Sequence, residues 1–119
     1  MLNLNSVMIG TLKPKVLAKF YEKVLGKKPD MSEDNWSGWQ AGSCFLTIGE
    51  HSEVGAKARE PQRVIFDFET KEVKKEFARI KKLGAKVIKA PYQMEGFWIA
   101  TLADPDGNYF QLMTPWDSK

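Results

Sequence analysis

Few side chains in this chain can do chemistry on their own. There is one histidine, His51, and one cysteine, Cys44. One imidazole excludes any site that needs two from a single chain, and one thiol excludes an internal disulfide, a CxxC redox pair and a cysteine-built zinc site. His51 stands beside Glu50 and Glu53 in a polar stretch, where a solvated loop histidine is expected. Cys44 opens the apolar run Cys44 to Ile48 as a small hydrophobe would, with no neighbour in sequence that would lower a thiol pKa. The paired carboxylates of Asp104-Pro105-Asp106-Gly107 are turn chemistry: proline presets one central dihedral and glycine takes the positive one. A calcium loop would need more oxygen ligands at set spacings. Aromatic surface is what the chain has in quantity. Trp36, Trp39, Trp98 and Trp116 are four tryptophans in 119 residues, and Tyr92, Phe97 and Tyr109 lie in the same stretches. Aromatic rings at these positions serve either an apolar ligand cleft or a core and interface. For Trp36, Trp39 and Trp98 the two uses are balanced, and Trp116 is expected to pack.

These residues must be positioned by short elements. Leu4 to Leu12 alternates as a strand, with Val7 and Ile9 on one face and Ser6, Met8 and Gly10 on the other. A helix follows: Pro14 suits its first turn, Leu17, Phe20, Tyr21, Val24 and Leu25 form one stripe, and Gly26 stands where a left-handed cap is wanted. Short strands are expected between Lys27 and Gly49, with turns near Asp34 and Gly42. The polar stretch Glu50 to Pro61 reads as a linker. The pattern then begins again. Arg63 to Thr70 is a strand, Val73, Phe77 and Ile80 mark a helix ending near Gly84, Lys86 to Ala90 is a short strand, and Phe97 to Ala103 and Asn108 to Thr114 are strands joined by the Asp104–Gly107 turn. On the last strand Tyr109, Gln111 and Met113 share one face and Phe110 and Leu112 the other.

The chain is therefore an internal repeat. Gly26 and Gly84 stand 58 residues apart, as do Gly49 and Gly107. Each half reads strand, helix and three strands. One domain over 1–119 is expected, with module one at 1–49, linker 50–61 and module two 62–119. One helix covers one face of a four-stranded sheet, so each sheet keeps a second face for a partner or for chemistry. The expected class is α+β: two βαβββ modules forming curved, mainly antiparallel sheets around a cleft, with helices on the outside.

Phe20-Tyr21-Glu22-Lys23-Val24-Leu25-Gly26 and Asp104-Pro105-Asp106-Gly107-Asn108, with Phe77 to Gly84 between them, resemble motifs of the vicinal oxygen chelate superfamily. That superfamily contains glyoxalases, extradiol dioxygenases, and bleomycin- and fosfomycin-resistance proteins. The resemblance covers nearly the whole chain and implies the fold more than any one activity. Metal-dependent members bind one divalent ion through the first and last strands of each module. By the resemblance, those positions fall at Ser6, at Ile65 or its neighbour Val64, at Gln111, and within Cys44 to Ile48. Serine, isoleucine and glutamine offer neither an imidazole nor an anionic oxygen, which Fe, Mn, Ni and Zn sites require. Asp67, two residues beyond Ile65, supplies one carboxylate. No metal and no cofactor is therefore expected.

The expected function is metal-free binding of a small molecule, a planar aromatic or cationic compound, as in the drug-sequestering members of the superfamily. Ser6, Met8, Trp36, Trp39, Asp67, Trp98, Tyr109 and Gln111 are the candidate ligand-binding residues; no catalytic residue is assigned. The alternative is a metal-dependent lyase or isomerase, or a dioxygenase, of the glyoxalase type. Net charge is +3, and the excess is local: Lys71, Lys74, Lys75, Arg79, Lys81, Lys82, Lys86 and Lys89 face only Glu72 and Glu76 between positions 71 and 89. A solvated outer helix face explains this, and no nucleic-acid partner is expected. No apolar run reaches membrane-spanning length and MLNLNS lacks a leader's basic-then-hydrophobic order, so a cytoplasmic protein with no membrane partner is expected. The resemblance further implies a homodimer.

Overall fold

The structure is a computed structural model and describes residues 1–116. The end of the expected second module, 117–119, lies outside the described residues. The chain divides into two compact units, Met1–Ala56 and Lys57–Lys119.

The first unit contains β1 (Ser6–Thr11), α1 (Pro14–Leu25), β2 (Met31–Glu33), β3 (Trp36–Ala41) and β4 (Cys44–Glu50). Its sheet runs β1-β4-β3-β2, with β1 parallel to β4 and the other neighbours antiparallel. The helix forms because its apolar residues recur on one side. Leu17, Phe20, Tyr21 and Val24 are buried against Ile9, Trp39, Leu46 and Ile48 of the sheet. Each such side chain contributes roughly 1.5–3 kcal/mol on full burial. Phe20 and Tyr21 meet edge to face at 5.2 Å between ring centroids. Pro14 occupies the first turn, where its missing N–H costs nothing. Gly26 ends the helix at φ 74°, and the N–H groups of Gly26 and Lys27 both donate to the Glu22 carbonyl. The Asp30 carboxylate then ties the start of β2 to β3. It accepts from the Gln40 N–H at 2.7 Å and from Lys27 Nζ at 3.0 Å, and these bonds hold its carboxyl below the usual value.

The second unit repeats the plan with β5 (Phe66–Glu69), α2 (Val73–Lys82), β6 (Lys86–Met94), β7 (Phe97–Ala103) and β8 (Tyr109–Met113). The sheet order is β5-β8-β7-β6, with β5 parallel to β8. Val73 and Ile80 of α2 are buried, as are Ala100, Leu102, Phe110 and Leu112 of the sheet. The lysines at 71, 74, 75, 81, 82, 86 and 89 are all exposed.

The α+β class and the two βαβββ modules are as the sequence implies. Three details differ. Strand β5 begins at Phe66 rather than Arg63, and β6 runs to Met94 rather than Ala90. The second unit's hairpin is longer, so Gly49 and Gly107 are not equivalent despite their spacing: Gly49 lies within β4, whereas Gly107 is a turn glycine at φ 89°. The true counterpart of Gly107 is Gly42, at φ 64° in the turn before β4. The polar stretch at 50–61 is also shared between the units. The His51 N–H donates to the Thr11 carbonyl in the first unit, and the Ala58 N–H to the Asp106 carbonyl in the second.

Candidate functional site

Each sheet has one face under its own helix and one that this helix does not cover, called here the open face. Strand alternation assigns every side chain to one or the other. In the first unit the cross-strand rows Ser6–Phe45–Gln40, Met8–Thr47–Gly38 and Gly10–Gly49–Trp36 are on the open face. The rows containing Ile9, Ile48, Leu46 and Trp39 face the helix. Trp36 and Trp39 therefore point to opposite sides, as an odd separation along a strand requires. Trp39 is 0% exposed and its indole N–H donates to the Lys27 carbonyl at 3.0 Å. It is a core residue that fastens the segment after α1, and its placement on a ligand-facing surface is corrected.

In the second unit the open face carries Asp67, Glu69, Tyr109, Gln111, Met113, Thr101 and Ile99, with Lys89 and Tyr92 on β6. The register sets Asp67 beside Gln111, Gln111 beside Thr101, and Thr101 beside Lys89. The side chains follow that register. Thr101 Oγ1 donates to Gln111 Oε1 at 3.2 Å, and Gln111 Nε2 donates to Asp67 Oδ1 at 2.7 Å. Thr101 is buried, Gln111 half-buried and Asp67 exposed, so the row runs from the interior of the sheet to solvent. The amide of Gln111 is polarised in one sense, and it orients a carboxylate whose Oδ2 has no protein partner among the described residues. Lys89 Nζ stands 5.1 Å from the centroid of the Tyr92 ring.

Trp98 belongs to the other face. It shares its strand parity with Ala100 and Leu102, and Lys74 of α2 lies over its ring at 3.9 Å. Trp98, one of the candidate ligand-binding residues, therefore stands on the helix side and not on the face that carries Asp67 and Gln111. Trp116 is 75% exposed, with its ring 6.1 Å from that of Phe97. His51 is exposed, and its Nδ1 accepts from the Glu53 N–H.

Of the eight candidates, Ser6, Met8 and Trp36 thus share the first unit's open face, and Asp67, Tyr109 and Gln111 the second's. Thr101 and Phe45 were not anticipated. Alternation along Phe97 to Ala103 and along Cys44 to Ile48 puts both on open faces, but only the cross-strand register pairs Thr101 with Gln111.

The family model for the glyoxalase-like domain matches residues 6–113, and the chain belongs to that family. This is consistent with the vicinal oxygen chelate superfamily. Among solved structures, the chain is 25% identical to a glyoxalase/bleomycin resistance protein/dioxygenase family enzyme from Burkholderia phytofirmans PsJN, over 95% of this chain and 98% of that one, at a TM-score of 0.78. A glyoxalase-related enzyme from Fulvimarina pelagi is 15% identical over 97% and 89%, at 0.81. A glyoxalase/bleomycin resistance protein from Catenulispora acidiphila is 18% identical over 95% and 99%, at 0.72. No curated protein matches the chain.

The divalent ion of the metal-dependent members does not fit these residues. Ser6 supplies a hydroxyl, Val64 and Ile65 supply no donor, and the Gln111 amide is engaged at both ends by Thr101 and Asp67. Among the described residues there is no group of three or more His, Cys, Asp or Glu that could hold a metal ion. No helix among them is long and apolar enough to cross a membrane.

Proposed function

We propose that this chain is a small-molecule-binding protein that captures a planar aromatic cation without a metal ion. The observation that carries the proposal is the Thr101–Gln111–Asp67 row. It ends in an oriented carboxylate oxygen on an exposed side chain, without a protein partner among the described residues. Such an oxygen accepts a charge-assisted hydrogen bond from an ammonium or amidinium group. Tyr92, Tyr109, Ile99 and Met113 on the same face offer apolar contact. Ser6, Met8 and Trp36 offer a separate, mainly apolar surface in the first unit. The names given to the solved relatives join glyoxalase with bleomycin resistance protein, and both with dioxygenase, and so span capture and turnover alike. The donor set favours capture. In this reading the protein is cytoplasmic and homodimeric, takes no nucleic acid and uses no cofactor.

The test is titration of the purified protein with proflavine, a planar tricyclic cation, followed by the dye's fluorescence anisotropy. Saturable binding is expected, weakened about tenfold or more in Asp67→Asn, the scale of one lost charge-assisted bond. Gln111→Leu leaves Asp67 unanchored and weakens binding by a smaller factor. Equal affinity in wild type and Asp67→Asn overturns the proposal. So does elemental analysis showing one equivalent of Ni, Zn, Mn or Fe per chain, which would favour the glyoxalase-type enzyme.

A further inference from the structure

The open face of the second sheet sorts its charges by edge. The order β5-β8-β7-β6 makes β5 and β6 the two edge strands. On this face β5 carries Asp67 and Glu69, and β6 carries Lys86 and Lys89. The strands between them contribute Ile99, Thr101, Ala103, Tyr109, Gln111 and Met113, none of which is charged.

One register row crosses the whole sheet. Asp67 stands beside Gln111, Gln111 beside Thr101, and Thr101 beside Lys89. Its ends are a carboxylate and an ammonium whose Cα atoms lie about 14 Å apart, the width of three strand-to-strand steps. That exceeds the screening length of roughly 8 Å at physiological salt, so the two charges do little to satisfy each other. Both residues are exposed, and among the described residues neither forms an ion pair. Lys89 Nζ stands 5.1 Å from the Tyr92 ring centroid, and Tyr92 pairs with Ile99 on the same face. The ammonium is therefore on this side of the sheet.

The middle of the row is oriented to suit both ends. Thr101 donates to Gln111 and Gln111 donates to Asp67, so each donor points toward the carboxylate. The Thr101 oxygen, at the other end, is left as an acceptor, the sense that suits a cation beside it. A ligand that is only a cation uses one end of this row and leaves the lysine edge unanswered. A ligand that also carries an anion uses both.

We infer that the ligand of this face is a zwitterion: a planar aromatic cation bearing a carboxylate, its cationic end at Asp67 and its anionic end at Lys89. The inference rests on the capture reading above and adds Lys89 as the residue that selects the anionic end. A compact ammonium on a flexible four-carbon stem suits that task, because it can follow an anion held at the far end of a rigid ring system.

The probes are the rhodamine with unsubstituted amino groups, which is a zwitterion, and its methyl ester, which is a cation. They share one planar xanthene and differ in whether the carboxylate is free. Binding of each is followed by the dye's fluorescence anisotropy at neutral pH. The acid is expected to bind wild type about fivefold or more tightly than the ester, the scale of one exposed charge-assisted bond. Lys89→Met keeps the apolar stem and removes the charge, and is expected to bring the two affinities within about twofold of each other. Lys89→Arg keeps the charge and preserves the preference. Asp67→Asn weakens both dyes. Lys89 is exposed, so its variants are expected to melt with the wild type.

An acid that binds wild type no more tightly than the ester, alongside Asp67-dependent binding of the ester, overturns the zwitterion inference alone. So does a preference for the acid that survives Lys89→Met. Absence of binding by both dyes, or binding indifferent to Asp67→Asn, overturns the capture reading as well.

Discussion

Asp104 shows how one side chain can organise a turn. It is 5% exposed, yet its Oδ1 accepts from the backbone N–H groups of Asp106 and Asn108, each at 2.9 Å. The Asn108 side-chain amide donates to both of its oxygens. The motif Asp-Pro-Asp-Gly-Asn is thus a closed hydrogen-bonded turn rather than a cation loop. Asp104→Ala strands buried donors and is expected to cost about 2–3 kcal/mol, read as a lower urea midpoint at constant slope. Asp104→Asn keeps an acceptor and should lose less. The role of this motif was legible in its residue types, because turn chemistry is local. The role of Gln111 was not. Its position on the open face follows from alternation, but its two partners, Thr101 and Asp67, come from strands on either side of it.

At the scale of elements, the helices were the most legible parts. Their stripes at 17, 20, 21 and 24 and at 73, 77 and 80 need only one apolar side, and glycines follow both ends. Strand limits were less so, because a strand ends where its neighbour stops pairing. Strand β6 outruns its local pattern by pairing with β7 as far as Met94, with two register shifts on the way. The turn closing that hairpin is Glu95-Gly96, with φ 52° and 87°. Two successive positive φ values mark the mirror-image turn suited to twisted hairpins, for which asparagine followed by glycine is preferred. Glutamate pays a Cβ penalty there. Glu95→Asn is therefore expected to stabilise the protein by about 0.5–1 kcal/mol, seen as a rise in melting temperature by calorimetry. An unchanged or lower value would show that Glu95 makes a compensating contact.

At the scale of the whole molecule, the proposed homodimer makes the simplest prediction. Sedimentation equilibrium is expected to return twice the chain mass over micromolar concentrations, and the monomer mass throughout that range would remove the proposal. The sequence by itself determined the repeat, the α+β class, the helix faces and the absence of a good ligand set at the positions the resemblance points to. These depend on residue type and short-range periodicity, which are properties of contiguous chain. The tertiary structure decided that Trp39 and Trp98 belong to the helix sides, that Gly42 rather than Gly49 matches Gly107, and that Thr101, Gln111 and Asp67 form one row. It also decided that Gly38 and Gly49 both stand against the Trp36 indole. All of these turn on which residues stand opposite each other across strands, and pairing between distant segments is set by the packing of the whole sheet.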